Sequence, residues 1–464
     1  MAGIPASNIE PALGELKALL GDRLSTTAAV REQHGRDESS WHGVPPDAVA
    51  MAQSTEEVSE IARICTRYRI PMIPFGTATS VEGHIHALEG GISIDLNALN
   101  EIARISPEDM DCTVQAGVTR NQLNAYLRDS GLFFPVDPGA DASLGGMAAT
   151  RASGTNAVRY RTMRENVIGL TVVMADGQII KTGTRARKSS AGYDLTHLFV
   201  GSEGTLGFIT EVTLRLHPVQ ESIMAASCTF ETVHNAVEAV IETIQAGVPI
   251  ARIELLDALQ IRAVNRVEKT DYPEQPHLFL EFHGTRSGVR EQIVIVESLV
   301  LDHEGSNFAW AENQEERSRL WHARHNAYPS SLQLRPGSRA LITDVCVPIS
   351  CLADCIDESL NDIAASRIPI TLLGHVGDGN FHLLILIDPD DADERAEAES
   401  INHRLVKRAI AMGGTCTGEH GIGRGKREYL IEEHGAAVSV MREIKRALDP
   451  HNLMNPGKIF LQES

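Results

Sequence analysis

The chain has no run of lysine and arginine, and its 464 residues carry a formal net charge of −20. Nucleic acid requires clustered basic side chains against its phosphates, so that class of partner is excluded. No apolar run reaches the roughly 18 residues of a membrane-spanning helix. Contact with a bilayer is therefore at most peripheral, as at an inner membrane face. No signal peptide is expected either: MAGIPASNIEPALGELKALLGDRL reads as a short amphipathic helix with acidic residues. It lacks a charged start with an apolar centre, and equally the arginine-rich, acid-poor character of a transit peptide. The seven cysteines show no C-x-x-C spacing. Cys351 and Cys355 lie four apart, a helix-face spacing, but reduced thiols in a cytoplasmic protein are the expectation.

What is present is ordinary globular material, 42% hydrophobic and 22% charged, enough for more than one core and two or three domains. Residues 47–95 read as β-α-β. A strand in DAVAMAQ leads to Ser54-Thr55-Glu56-Glu57, a capping-box pattern, and then to apolar residues at helical spacing. A second box, Thr119 with Gln122, opens another helix. His217-Pro218 marks a domain border, after which strands and helices alternate to the end. Tandem repeats and low-complexity segments are missing.

Three stretches are dense in small residues: PFGTATSVEGH (74–84), SLGGMAATRASG (143–154) and GSEGTLG (201–207). The first follows a strand, and its backbone amides with Thr77, Thr79 and Ser80 suit a phosphate. It is neither G-x-G-x-x-G nor a P-loop. A plain tight turn is the competing reading of this stretch alone. The second suits a backbone wall against a flat ring, or close helix packing. Together the three favour one large extended cofactor.

LLGHVGDGNFHLLIL (372–386) is strand sequence interrupted by two histidines. Asp378-Gly379 is a favoured two-residue hairpin turn. Centring it there pairs His375 with His382 on one face, where two imidazoles can converge on a cation. A hydrogen-bonded pair of core histidines is the alternative. In GEHGIG (418–423) Glu419 can add an oxygen ligand, and His420 points the other way if the segment is extended. Two imidazoles and a carboxylate suit zinc, and also manganese or iron.

These segments, with DPGADASLGGMAATRASGTNAVRYRTMRENV (137–167), GEHGIGRGK (418–426) and DPHNLMNPGKIF (449–460), carry a resemblance that spans essentially the whole chain in order. The chain resembles the FAD-linked oxidoreductases of the vanillyl-alcohol oxidase (PCMH) type. Within them it is most similar to the branch of cytochrome- or quinone-linked D-lactate dehydrogenases and glycolate oxidase flavin subunits, with D-2-hydroxyglutarate dehydrogenase a cousin. The resemblance implies an α+β fold: a two-part FAD-binding domain at 1–218, an α+β substrate cap at 219–425, and a segment at 426–464 returning to complete the FAD domain. It implies that Pro74, Gly76, Thr77, Ala78, Thr79, Ser80 and Gly83 form the pyrophosphate loop. Pro138, Ser143, Gly145, Gly146, Ala152 and Gly154 would line the flavin, while Glu203, Gly204, Ile209 and Asn455 would also touch FAD. Some relatives attach the flavin covalently through a histidine in this loop; Ala78 stands there instead, so FAD is expected to be non-covalent.

The resemblance further assigns His375, His382 and Glu419 to a divalent metal, zinc first, and His420 to base chemistry. Arg324, in WHARHNAY, is the choice for a clamp on the substrate carboxylate, and Asn380 for an added hydrogen bond. The expected reaction is oxidation of a D-2-hydroxy acid, D-lactate first, with glycolate or D-2-hydroxyglutarate as alternatives. Without a C-x-x-C-H haem signature or cluster spacing, electrons are expected to leave to a quinone, a cytochrome or another acceptor rather than NAD. A metal-dependent hydrolase is the rival class, but it leaves the glycine-rich first domain unused. The expected location is cytoplasmic.

Overall fold

A computed structural model describes residues 6–461. The chain divides into two compact units of mixed α+β structure. One contains the residues up to Ser153, Arg161–Val219 and the chain from Glu419 onward; the other contains Gly154–Tyr160 and Gln220–Gly418. The sequence reading put its borders at 218 and 425, and it did not separate the short stretch Gly154–Tyr160 from its surroundings.

The first unit holds two main sheets. In one, strands Ala48–Met51, Ile92–Asp95 and Met72–Phe75 lie parallel in that order, with Leu24–Ser25 antiparallel at one edge. The parallel strands are short and almost entirely buried, as strands packed on both faces must be. Helix Thr55–Tyr68 connects two of them and buries Val58, Ile61, Ala62, Ile64 and Cys65. Ser54 Oγ accepts from Glu57 N at 3.1 Å, the first half of the expected box. The second half is replaced: the Glu57 carboxylate grips Arg23 at 2.5 and 2.6 Å. The other box is complete, with Thr119 and Gln122 capping helix Arg120–Leu127 from both sides. The second sheet is antiparallel, in the order Arg104–Ser106, Asp111–Gln115, Phe208–Arg215, Val167–Val173, Ile179–Lys181. The tail closes the unit along its parallel sheet. Met72 N donates to Leu453 O at 2.7 Å and Asn455 N to Met72 O at 2.8 Å, so the tail adds a fragment of strand to an otherwise open edge.

The second unit is one large antiparallel sheet. Its strands run Ser306–Ala311, Ser222–Thr229, His277–Gly284, Ile250–Leu256, Ile370–Gly374, Asn380–Ile387 and Arg339–Ile342, and Val345–Cys346 also pairs with Asn380–Ile387. Asn380–Ile387 is buried at every position, which explains its nearly unbroken apolar run. Among the described residues no helix is long and apolar enough to cross a membrane.

Candidate active site

The two histidines do come together, by a different route from the simple hairpin. Leu373, not His375, pairs with His382. The connection is longer than two residues: Val376–Asp378 form a 3-10 turn, closed by Asp378 N donating to His375 O at 3.0 Å. Gly379 ends it with φ of 80°. His375 immediately precedes the turn, His382 lies on the strand, and their rings meet edge to face with centroids 5.6 Å apart.

The hydrogen bonds around them fix what each ring offers. His375 Nδ1 donates to Glu254 Oε1 at 2.7 Å, and His382 Nδ1 donates to Thr343 O at 2.9 Å. A proton on Nδ1 turns the lone pair to Nε2, so Nε2 is the nitrogen through which each ring would bind a cation. This is the arrangement of metal-binding imidazoles anchored from behind by a carboxylate or a carbonyl. The donor chemistry therefore fits a divalent metal. Burial pushes the Glu254 carboxyl up, but His375 and Arg324 outweigh it and hold the group below the usual carboxylate range.

The apolar stretch RALITDVCVP (339–348) does not form one continuous strand. It breaks at Thr343-Asp344, and the break supplies the anchors. Thr343 carries His382 through its carbonyl and accepts from Leu383 N at 2.8 Å through its hydroxyl. Asp344, fully buried, accepts from Asn380 Nδ2 at 2.8 Å and from Thr417 Oγ1 at 2.7 Å. Asn380 Nδ2 also donates to Val345 O at 2.7 Å, which commits both of its amide hydrogens to the protein. Glu254, Thr343 and Asp344 were missed by sequence reasoning; Glu254 lies far along the chain from His375, and Thr343 and Asp344 from His382, whose Nδ1 stands 3.8 Å from Asp344 Oδ1. Arg324 is buried, its Nε donating to Glu254 Oε2 at 2.9 Å and its Nη2 lying 2.6 Å from the same oxygen.

Glu419 and His420 begin the returning segment of the first unit, directly after Gly418. They do not diverge as an extended segment would require: Glu419 Oε1 lies 3.7 Å from His420 Nε2. The segment bends, and Gly421 follows with φ of 81°, so the alternation of a strand does not apply.

In the same unit, residues 76–81 lie outside any helix or strand and are half-buried. No main-chain N–H of Thr77–Val81 donates to a main-chain oxygen among the described residues. Ala78 has φ of 57°. Such a run of undirected amides is a cradle for an anion and fits the pyrophosphate of FAD. Thr77 Oγ1 accepts from Ser143 N at 3.4 Å and lies 3.3 Å from Thr79 Oγ1, joining two of the expected cofactor segments. Pro74 and Gly204 are in contact, since a Cβ on Gly204 would stand 2.5 Å from Pro74 Cγ. Ala152 and Ile209 are buried, Pro138 is half-buried, Gly83 has φ of 68°, and Gly154 belongs to the second unit.

Several expected cofactor residues have visible structural duties. A Cβ on Gly145 would come within 2.5 Å of Ala116 Cβ, so the close approach there is to a strand end; Gly146 is exposed. Glu203 accepts from Ile422 N and Gly423 N, both at 2.7 Å, and its carboxylate lies 3.1 Å from His84 Nε2. Asn455 Nδ2 donates to His84 O at 3.1 Å and Glu203 O at 2.9 Å. These two residues clasp segments that are distant in sequence. Both hold positive φ, 53° for Glu203 and 43° for Asn455, a strain that such clasps maintain.

Comparison with known proteins agrees with this architecture. Residues 219–459 match the family "FAD linked oxidases, C-terminal domain", and residues 46–183 match an FAD binding domain. The chain belongs to the FAD-linked oxidases. It is 55% identical over 457 residues to a Danio rerio protein named "Probable D-lactate dehydrogenase, mitochondrial", covering 97% of this chain and 92% of that one. It is 47% identical over 451 residues to "D-lactate dehydrogenase [cytochrome], mitochondrial" of Arabidopsis thaliana, covering 97% and 80%. It is 34% identical over 444 residues to "Glycolate oxidase subunit GlcD" of Bacillus subtilis, covering 94% and 93%. The solved structure of 4-ethylphenol oxidase from Gulosibacter chungangensis shares the fold, with TM-score 0.83 at 20% identity, covering 100% of this chain and 99% of that one.

The expected cytoplasmic location is corrected. Relatives at 55% and 47% identity are named mitochondrial. The cysteine pattern that suggested cytoplasm reports only that thiols stay reduced, which does not distinguish one reducing compartment from another.

Proposed function

We propose that this chain oxidises D-lactate to pyruvate and passes the electrons to a cytochrome or quinone. The observation that carries the reading is the 55% identity, over nearly the full length of both chains, to a protein named for D-lactate. When bound, FAD supplies the hydride acceptor and a divalent metal supplies a Lewis acid that lowers the pKa of the substrate hydroxyl. His375 and His382 hold the metal through Nε2, with Glu419 as the third ligand. Glu419 follows a segment secured by the Thr417–Asp344 bond, and Gly418 packs so closely on Asn380 that a Cβ would fall 2.3 Å from Nδ2. A secured approach of this kind suits a residue that must meet a ligand in one position.

His420 takes the hydroxyl proton as C2 gives up its hydride, and its Nε2 lies 3.7 Å from Glu419 Oε1, which places the base beside the proposed metal ligand. Asn380 meets the substrate hydroxyl through Oδ1, because its Nδ2 is committed to Asp344 and Val345. Arg324 has Nε and Nη2 on Glu254, so a substrate carboxylate is met through Nη1. Pro74, Gly76–Ser80 and Gly83 form the pyrophosphate loop. Pro138, Ser143, Gly145, Gly146, Ala152 and Gly154 line the ring, and Glu203, Gly204, Ile209 and Asn455 support it from the adjoining segments. Glycolate is the second reading, favoured by the likeness to the GlcD subunit. A panel of D-lactate, glycolate and D-2-hydroxyglutarate with an artificial dye acceptor tests the order. D-lactate is expected to give the highest kcat/KM; turnover of glycolate or D-2-hydroxyglutarate in preference to it overturns the assignment.

A further inference from the structure

We infer that Glu254 is a positioning residue of the metal site: its carboxylate joins Arg324 to His375 and fixes the His375 ring with Nε2 toward the cation. The inference rests on the reading of His375 and His382 as metal ligands. Glu254 lies on strand Ile250–Leu256, where its neighbour Leu255 pairs with Gly374, the residue before His375. It therefore stands beside the point where the chain leaves the sheet for the histidine turn. Its two oxygens have separate tasks: Oε1 accepts from His375 Nδ1 at 2.7 Å, and Oε2 accepts from Arg324 Nε at 2.9 Å.

Stability gives no reason for this arrangement. Glu254 is 1% exposed and Arg324 8%. Desolvating such a pair costs as much as its attraction returns, and apolar residues of the same volume hold a core at least as well. The two histidines are also anchored differently. His382 donates to the main-chain carbonyl of Thr343 at the break between two strands, with the buried Asp344 carboxylate 3.8 Å from the same nitrogen. His375 lies just past the end of its strand, directly before the 3-10 turn, where a freely rotating ring would not stay aligned with its partner. A charged anchor restores that alignment and makes the imidazole a better donor to a metal, and Arg324 balances the charge the anchor brings into the core.

Glu254→Gln keeps the shape and removes the charge, and Glu254→Asp keeps the charge but withdraws it by one methylene. Each is prepared as the full FAD-loaded chain, with folding checked by circular dichroism. Zinc is measured per chain by elemental analysis, and its affinity by competition with a chelator. The expected result is a loss of zinc affinity of about 10–100-fold in Glu254→Gln with flavin content unchanged. If that variant does not fold, the same loss is read in Glu254→Asp. A folded Glu254 variant with wild-type zinc affinity, beside a His375→Ala variant that loses zinc, overturns this inference alone. Wild-type zinc binding in both His375→Ala and His382→Ala overturns the ligand assignment beneath it.

Discussion

Replacing Gly379 with alanine tests whether the 3-10 turn sets the position of His375. Gly379 has φ of 80°, and a side chain in this left-handed region costs about 1–2 kcal/mol. A Cβ there would also stand 2.1 Å from Val347 O. That oxygen belongs to main chain, and Val347 N already donates to Gly379 O at 3.0 Å, so neither side moves without breaking a bond. Overpacking of this kind adds roughly 1–3 kcal/mol. The sum, about 2–5 kcal/mol, is below the stability of most domains, so Gly379→Ala should fold with its turn displaced. Gly413→Ala is the control. Gly413 has φ of 78°, yet its Cβ would meet nothing nearer than Pro348 Cγ at 4.0 Å, so it carries the backbone strain without the clash. Urea unfolding should show the larger loss for Gly379→Ala, and elemental analysis should show zinc lost there but kept in Gly413→Ala. Equal stability and equal zinc in the two variants refute the reasoning.

Two further outcomes follow. Burial, then the nearby Arg215, depress the His217 pKa from 6.5 to about 4. The unfolded chain thus binds the extra proton between these values. Stability contributed by the neutral ring is present above pH 6.5 and falls as pH drops toward 4, by about 1–2 kcal/mol once solvent screening of the partly exposed ring is allowed for. His217→Gln should flatten this part of the pH–stability curve, and an unchanged slope contradicts the assignment. With Ala78 in the pyrophosphate loop, acid precipitation should release all yellow colour to the supernatant; colour retained on the pellet disproves non-covalent binding.

The parts of the fold legible in sequence were those set by local chemistry. The Thr119–Gln122 box needs only residues three apart, and it formed in full. The fully buried strand Asn380–Ile387 announced itself by composition. What escaped were partnerships across the chain. Glu57 left its local box for Arg23, 34 residues earlier. Glu254 reads as one of two charged residues, with Arg252, in an otherwise apolar strand, and its role depends on His375, 121 residues later. The hairpin register failed for a related reason. Asp-Gly favours a two-residue turn, but the turn here also packs on other chain: a Cβ on Gly377 would lie 2.4 Å from Ile253 Cγ2. That tertiary contact accompanies the longer 3-10 connection, and turn propensity alone could not reveal it. At the flavin loops, small residues marked the segments correctly without separating those that would face a cofactor from those, such as Gly145, that admit a neighbouring strand.

The central claim is that His420 removes the hydroxyl proton of a D-2-hydroxy acid while the flavin takes the hydride. Anaerobic mixing of FAD-loaded protein with D-lactate, followed through the flavin absorbance, tests it most directly. Wild-type protein should bleach, and His420→Ala, loaded with FAD to the same level, should bleach about 10²–10⁴-fold more slowly. Equal rates in the two proteins, or a wild-type flavin that D-lactate does not reduce, would contradict it.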